Sequence, residues 1–333
     1  MQPNPENTIA AFGQRRAEAR RVVVLCERKS KCRFIRRVAY CLRNPVTAEP
    51  CRFTADKETR GIAVIEAAGG GKTIAIRTVL QSTSALQKNP ETGLPRSLEI
   101  QTPSPATHKS VGLAILEATG MSGVSSSARA WEIWSAVRNR LGQMGITVLW
   151  LDEAQDLVMA QSANETETTL RTIKTLMQGE NVVIPILSGT RRLGEMPSFD
   201  PQVSRRFTKI APSDLDHSSD QDNIFGMIDA YCNEAGISAR LPEDLAVRLM
   251  TGSRYRFGRA IETIVNAIEC AILDGEVFLT VDHFAEAWAM QEGCDPGSNI
   301  FFAPDWMSIP LDAEAEEYEQ ARSKRQKKKI ERG

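Results

Sequence analysis

The chain runs to 333 residues, 42% hydrophobic and 25% charged, with 41 Lys and Arg against 42 Asp and Glu. That length suggests one large domain with a smaller partner, and the composition is ordinary for a globular protein in water. No apolar run approaches the ~20 residues that span a bilayer. The opening MQPNPENTIAAFGQRR also lacks the apolar stretch of a secretory signal, so a cytoplasmic location without membrane contact is expected.

The near-zero net charge hides a polarised distribution. From Arg15 to Arg43 there are eleven Lys and Arg against two acids, and from Arg322 to Arg332 seven against one. Basic arms on a neutral body suggest contact with a polyanion, usually nucleic acid, although the C-terminal run also reads as a solubilising tail. Residues 1–58 are expected to form a basic segment packing on the core. Cys26, Cys32, Cys41 and Cys51 cluster there, but their gaps do not match paired C-x-x-C zinc spacing, and reduced thiols are the reading we adopt.

The chemistry begins at Gly61-Ile-Ala-Val-Ile-Glu66, a β-branched apolar run predicting a short buried strand. Ala67-Ala-Gly-Gly-Gly-Lys-Thr73 follows, and IAIRTVLQSTSAL then predicts a helix. Strand, glycine loop and helix are the context that a Walker A motif requires. Glycines let backbone N–H groups turn toward phosphate oxygens, and a helix N-terminus adds a favourable dipole. Ala68, Gly69, Gly70, Gly71, Lys72, Thr73 and Ile74 are therefore the expected ATP cradle. Lys72 is assigned to the β- and γ-phosphates and Thr73 to Mg²⁺. Glu66 departs from the pattern, which expects glycine there; that position closes the strand and does not itself hold phosphate.

Farther along, Thr107-His-Lys109-Ser110 starts a helix whose hydroxyl, imidazole and ammonium groups suit phosphate contacts. Thr107 reads equally as an N-cap beside a solvated Lys109. On AWEIWSAVRNRL the spacing of Ala130, Trp134, Val137 and Leu141 predicts a packed helix face, so the Trp131/Trp134 pair reads as core and not as a base-stacking platform.

Ile146 to Leu151 is a second buried-strand run, and it ends in Asp152-Glu153, the Walker B arrangement. Asp152 would hold Mg²⁺ through water while Glu153 polarises the attacking water as general base. Val182 to Leu187 predicts a third strand, followed by Ser188-Gly-Thr190. A polar residue at that strand end, Thr190 in preference to Ser188, would orient the hydrolytic water. In Pro201-Gln-Val-Ser-Arg-Arg206-Phe, Arg205 or Arg206 suits an arginine finger reaching a neighbouring subunit's γ-phosphate.

Past Leu215 the pattern turns helical. Asp220–Ala235, Pro242–Met250, Arg256–Leu273 and Val281–Gln291 predict four helices, the third with Ile261, Ile264, Val265 and Ile268 at helical spacing. The expected divisions are a nucleotide-binding α/β core over 59–215, a helical lid over 216–292, and a tail over 293–333 with a basic end. Arg259, or alternatively Arg256, would be the sensor-2 arginine of the lid.

Strand-loop-helix, paired acids, a polar strand end and trailing helices, in this order, resemble the AAA+ class of P-loop NTPases. That class has a parallel sheet sandwiched by helices and followed by a small helical lid. More narrowly, GIAVIEAAGGGKT, TPSPATHKSVGLAILEATG, ITVLWLDEAQDL, VVIPILSGTRRL and VSRRFTKI resemble the TniB/TnsC family of transposition ATPases over about residues 45–275, with MuB a more distant relative. The resemblance implies an ATP-dependent regulator with slow, assembly-stimulated hydrolysis. Its implied partners are duplex DNA, a transposase, a TniQ-like target-selection protein, and further copies of itself in a filament or ring. It further implies that Thr107 and Lys109 face DNA. Core ATPases of secretion machinery and nucleotide-gated signalling switches share the layout, and they stand as the alternative readings.

Overall fold

A computed structural model describes Val38, Cys41 and residues 48–53, 55–90, 92–121, 123–125, 127–158, 163–196 and 200–311. Both basic arms thus lie outside the described residues, apart from Val38 and Cys41 in the first. The described chain forms two compact units that divide between Ser213 and Asp214.

The first unit is built on five parallel strands in the order β2-β3-β4-β1-β5: β1 Gly61–Ile65, β2 Ser97–Gln101, β3 Val148–Asp152, β4 Ile184–Gly189 and β5 Phe207–Ile210. The helices are α1 Lys72–Ser82, α2 His108–Ala118, α3 Ala130–Met144, α4 Gln155–Val158, α5 Ala163–Leu176 and α6 Pro201–Ser204. Parallel strands need crossovers, which cover both sheet faces, so central strands carry apolar residues on both sides. That is why β3 reads as an unbroken apolar run. Its Leu149 and Leu151 join the cluster under α2, α3 and α5, while Val148 and Trp150 join the opposite cluster with Ile76 and Val79 of α1. At roughly 1.5–3 kcal/mol for each large side chain buried, these two clusters dominate the unit's stability. Val38, Cys41 and Ala48 belong to the α1-side cluster, so these described parts of the N-terminal segment are integral to the core.

Two strands escaped the sequence pattern. SLEIQ of β2 carries only Leu98 and Ile100 as buried apolar residues, and FTKI of β5 is four residues long at the sheet edge. Short strands recruited by pairing to a strong neighbour leave little periodic signal. Trp131 needs correction as well. Trp134 is buried among Ile133, Val137 and Leu141, whereas Trp131 is 65% exposed. Three residues before Trp134, it sits at the edge of an apolar stripe centred between Trp134 and Leu141, and it falls on the solvent side.

The second unit holds α7 His217–Ala235, α8 Leu245–Gly252, α9 Phe257–Leu273 and α10 Val281–Glu292. A two-residue parallel pair, β6 Ser238–Ala239 with β7 Phe278–Leu279, accompanies them. Asp216 caps α7 by accepting from the backbone N–H groups of Ser218 and Ser219, and Gly236 at φ 75° ends it. Ile261, Ile264, Val265 and Ile268 are all buried along α9. No described helix is long and apolar enough to cross a membrane.

Candidate functional site

β1 delivers the chain to the glycine loop, and Glu66 N–H donates to Gly189 O at 3.0 Å, aligning the loop with the end of β4. Gly69 at φ 76° and Gly71 at φ 93° occupy the left-handed region, which glycine enters without a Cβ penalty. Gly71 is the N-cap of α1, makes no side-chain cap hydrogen bond, and has no acid in the turn that follows. The first intrahelical bond is Ala75 N–H to Gly71 O, so the N–H groups of Lys72, Thr73 and Ile74 precede the helix's own ladder. Such a loop is shaped for an anion. The Glu66 side chain folds over Gly70: a Cβ on Gly70 would stand 2.0 Å from Glu66 Cδ. The residue that departs from the Walker pattern therefore covers one face of the loop, and it would have to swing aside for any side chain at residue 70.

Opposite the loop, the Walker B acids meet it directly. Thr73 Oγ1 donates to Asp152 Oδ2 at 2.7 Å, and Lys72 Nζ lies 3.4 Å from Glu153 Oε1. Asp152 is 7% exposed and its other oxygen is also engaged, accepting from Ser188 Oγ at 2.6 Å and from Glu153 N–H at 3.0 Å. The buried Trp150 indole in turn donates to Ser188 Oγ at 2.7 Å. A hydroxyl and a carboxylate at 2.7 Å form an all-oxygen pair of the kind a hard cation prefers, so the residues present fit Mg²⁺ beside a phosphate. Glu153 itself stands at φ 52°, an uncommon conformation for a residue with a side chain and one that collects at functional sites.

The strand end of β4 separates the two candidates for orienting the hydrolytic water. Ser188 points inward to Asp152 and Trp150. Thr190 lies just past the strand, half-buried, and its N–H donates to Gln155 Oε1 at 3.0 Å. Gln155 Nε2 donates to Glu153 Oε2 at 2.6 Å. The sequence pattern misses the ties of Ser188 to Asp152 and Trp150, and it misses Gln155 altogether. A glutamine two residues beyond the Walker B acids was the one available signal.

The two arginines of VSRRF have different surroundings. Arg206 is buried against Glu58, with Nε 2.9 Å and Nη2 2.8 Å from Oε2, and Nη1 donates to Gln202 O at 2.6 Å. Arg205 is exposed. At the start of α2, Thr107 is an N-cap: its hydroxyl accepts from Ser110 N–H at 3.0 Å, and Ser110 Oγ accepts from Thr107 N–H at 2.8 Å. Lys109 is half-exposed. Between them His108 stacks on Trp134, and its burial pushes the imidazole below its ordinary pKa, with Glu165 partly opposing. In the second unit, Arg256 is the N-cap of α9 and Arg259 lies one turn in, its Nη2 3.2 Å from Glu292 Oε1. Arg254 grips the same carboxylate with two 3.0 Å bonds. Cys41, Cys51, Cys232, Cys270 and Cys294 are free thiols, and burial raises Cys232 to about 12 and Cys270 to about 11. Among the described residues no group of three or more His, Cys, Asp and Glu side chains is placed to hold a metal ion.

Comparison with known proteins agrees with this architecture. The ORC1 protein of Aeropyrum pernix, solved in complex with DNA, superposes with a TM-score of 0.59 at 18% identity over 82% of this chain and 69% of that one. The Aeropyrum pernix ORC2 protein, in ADPNP-ADP complexes, gives 0.54 at 16% over 73% and 67%. Cdc6p from Pyrobaculum aerophilum gives 0.53 at 14% over 79% and 68%. Identities this low establish the fold alone, the AAA+ P-loop fold. No curated protein matches the chain. Residues 51–215, which hold the glycine loop, the paired acids, the β4 strand end and both arginines, match the family described as bacterial TniB protein, and through that segment the chain belongs to the TniB family.

Proposed function

We propose that the protein is an Mg²⁺-dependent ATPase that assembles on duplex DNA and regulates transposition, linking target selection to a transposase. The observation that carries the ATPase reading is the convergence of four side chains where two elements meet: Lys72 and Thr73 at the start of α1, Asp152 at the end of β3, and Glu153 just after it. The transposition reading is supported by the family to which residues 51–215 belong.

With ATP bound, the Gly69–Ile74 backbone and Lys72 would hold the phosphates, and Thr73 and Asp152 would hold Mg²⁺, whose charge would offset the negative charge of the phosphates. Lys72 then leaves Glu153 for phosphate, and Glu153 is freed to accept a proton from water. Thr190 orients that water. Arg205 is our choice for the finger offered to a neighbouring copy, because Arg206 is held by Glu58. Arg259, with Arg256 as the alternative, supplies the lid's contribution to nucleotide binding. Lys109, with the capped start of α2, contacts DNA phosphate, and a TniQ-like protein and the transposase are the further partners.

Glu153→Gln keeps the shape of the side chain and removes the base. It should bind ATP normally, hydrolyse it at least about a hundredfold more slowly, and persist on duplex DNA longer than wild type. Hydrolysis at the wild-type rate by this variant would refute the assignment of Glu153.

A further inference from the structure

The side chain of Gln155 bridges two parts of the site that the sequence motifs treat separately. Its Nε2 donates to Glu153 Oε2 at 2.6 Å, and its Oε1 accepts from Thr190 N–H at 3.0 Å. Chemistry dictates the orientation of this amide. An ionised carboxylate can only accept and a backbone N–H can only donate, so the NH₂ end must face Glu153 and the carbonyl must face Thr190. Gln155 is 9% exposed, and the backbone of β4 leaves room for it only because residue 189 is glycine: a Cβ there would stand 2.6 Å from Gln155 Oε1. The two ends of one buried amide thus join the carboxylate to the turn after β4.

We infer that Gln155 is a positioning residue that holds the Glu153 carboxylate through one oxygen and couples it to the strand end bearing Thr190. This inference rests on the reading of Glu153 as general base. The carboxylate has two oxygens with separate partners, Oε1 beside Lys72 Nζ at 3.4 Å and Oε2 on Gln155. When Lys72 turns to phosphate, the Oε1 contact is lost and the Gln155 bond remains. One oxygen is then fixed while the other is available to water. Without the amide, a carboxylate on a flexible stem would sample orientations that waste most encounters, and a displacement of about 1 Å can cost roughly a hundredfold in rate. Because Gln155 also receives the Thr190 N–H, any shift of the β4 end moves the base with it.

The test uses the full chain with ATP, Mg²⁺ and duplex DNA, reading ATP affinity from a fluorescent-nucleotide titration and turnover from phosphate release. Gln155→Met keeps the volume and removes both hydrogen bonds. It should leave ATP Kd within about twofold and lower kcat by about ten- to a hundredfold. Gln155→Glu keeps the shape but sets a second carboxylate against Glu153, and it should lose at least as much kcat at unchanged Kd. In the Glu153→Gln background Gln155→Met should cause no further loss, because a residue acting only through Glu153 has nothing left to position. Normal kcat in both Gln155 variants beside an inactive Glu153→Gln would overturn the role of Gln155 and leave the base assignment standing. Normal kcat in Glu153→Gln would remove that assignment and the inference with it. Equal fractional losses in both backgrounds, or a loss of ATP affinity matching the loss of kcat, would also overturn it, since either marks general damage to the site.

Discussion

Lys72 and the two arginines of VSRRF show how much a single side chain's surroundings decide. Lys72 is 7% exposed and sits 3.4 Å from Glu153. Lys72→Ala should weaken ATP binding by about ten- to a hundredfold, the value of one charge-assisted contact, as measured by calorimetry on folded protein. Unaltered affinity would remove the P-loop assignment. Arg205 and Arg206 are neighbours in sequence with opposite fates. Arg206→Ala removes the guanidinium from the partly buried Glu58 carboxylate, to which Gln178 Nε2 also donates at 3.0 Å. Such a loss should cost on the order of 3 kcal/mol of stability, seen as a lower denaturation midpoint. Arg205→Ala should leave that midpoint within about 0.5 kcal/mol, because exposed substitutions seldom do more. If Arg205 serves the neighbour's site, its alanine variant should bind ATP yet turn over poorly on DNA, and mixing with Glu153→Gln should restore part of the rate. A mixture no faster than its components would leave Arg205 a plain surface residue.

At the level of elements, α3 carries the sharpest contrast. The period of apolar residues places Ala130, Trp134, Val137 and Leu141 on one stripe; the last three are buried together with Ile133, and Ala130 is half-buried. It does not say where the stripe ends, and Trp131 lies just past its edge. Trp134 also donates its indole N–H to His108 O at 2.9 Å and stacks on the His108 ring. Trp134→Ala should therefore cost about 3–5 kcal/mol in chemical denaturation, through a cavity and the loss of the indole hydrogen bond. Trp131→Ala should fall within about 0.5 kcal/mol of wild type. Similar costs for both would mean that Trp131 is covered in solution. β2 and β5 make the complementary point. Their pairing with β3 and β1 exists because those neighbours offer unpaired backbone groups, which is a property of the sheet and not of the segments SLEIQ and FTKI.

For the whole molecule the question is what the assembled protein does. A regulator that accepts many target sequences should hold duplex DNA through phosphates. Binding should then require ATP, differ little between unrelated duplexes, and weaken steeply between low and physiological salt. Lys109→Ala should reduce the slope of log affinity against log salt by about one per lost contact in each subunit. The measurement is a salt titration on two unrelated duplexes with ATP and with ADP. Equal binding in both nucleotides, or none at low salt, would sink the transposition reading while leaving the ATPase site untouched.

The sequence by itself determined the glycine loop between β1 and α1, the paired acids at the end of β3, the helical character after Leu215 and the family. Each of these depends on residues close together in the chain: glycines that admit positive φ, apolar runs that cannot stay in water, acids at a strand end. Only the tertiary structure decided which polar atoms face one another. Thr73 meets Asp152 across 79 positions, Ser188 meets Asp152 across 36, and Arg206 meets Glu58 across 148. Hydrogen bonds and ion pairs act over about 3 Å, and local pattern carries no record of which distant strand end will arrive at that distance. The partners of Ser188, Gln155 and Arg206 were for that reason not legible until the strands and their connections lay side by side.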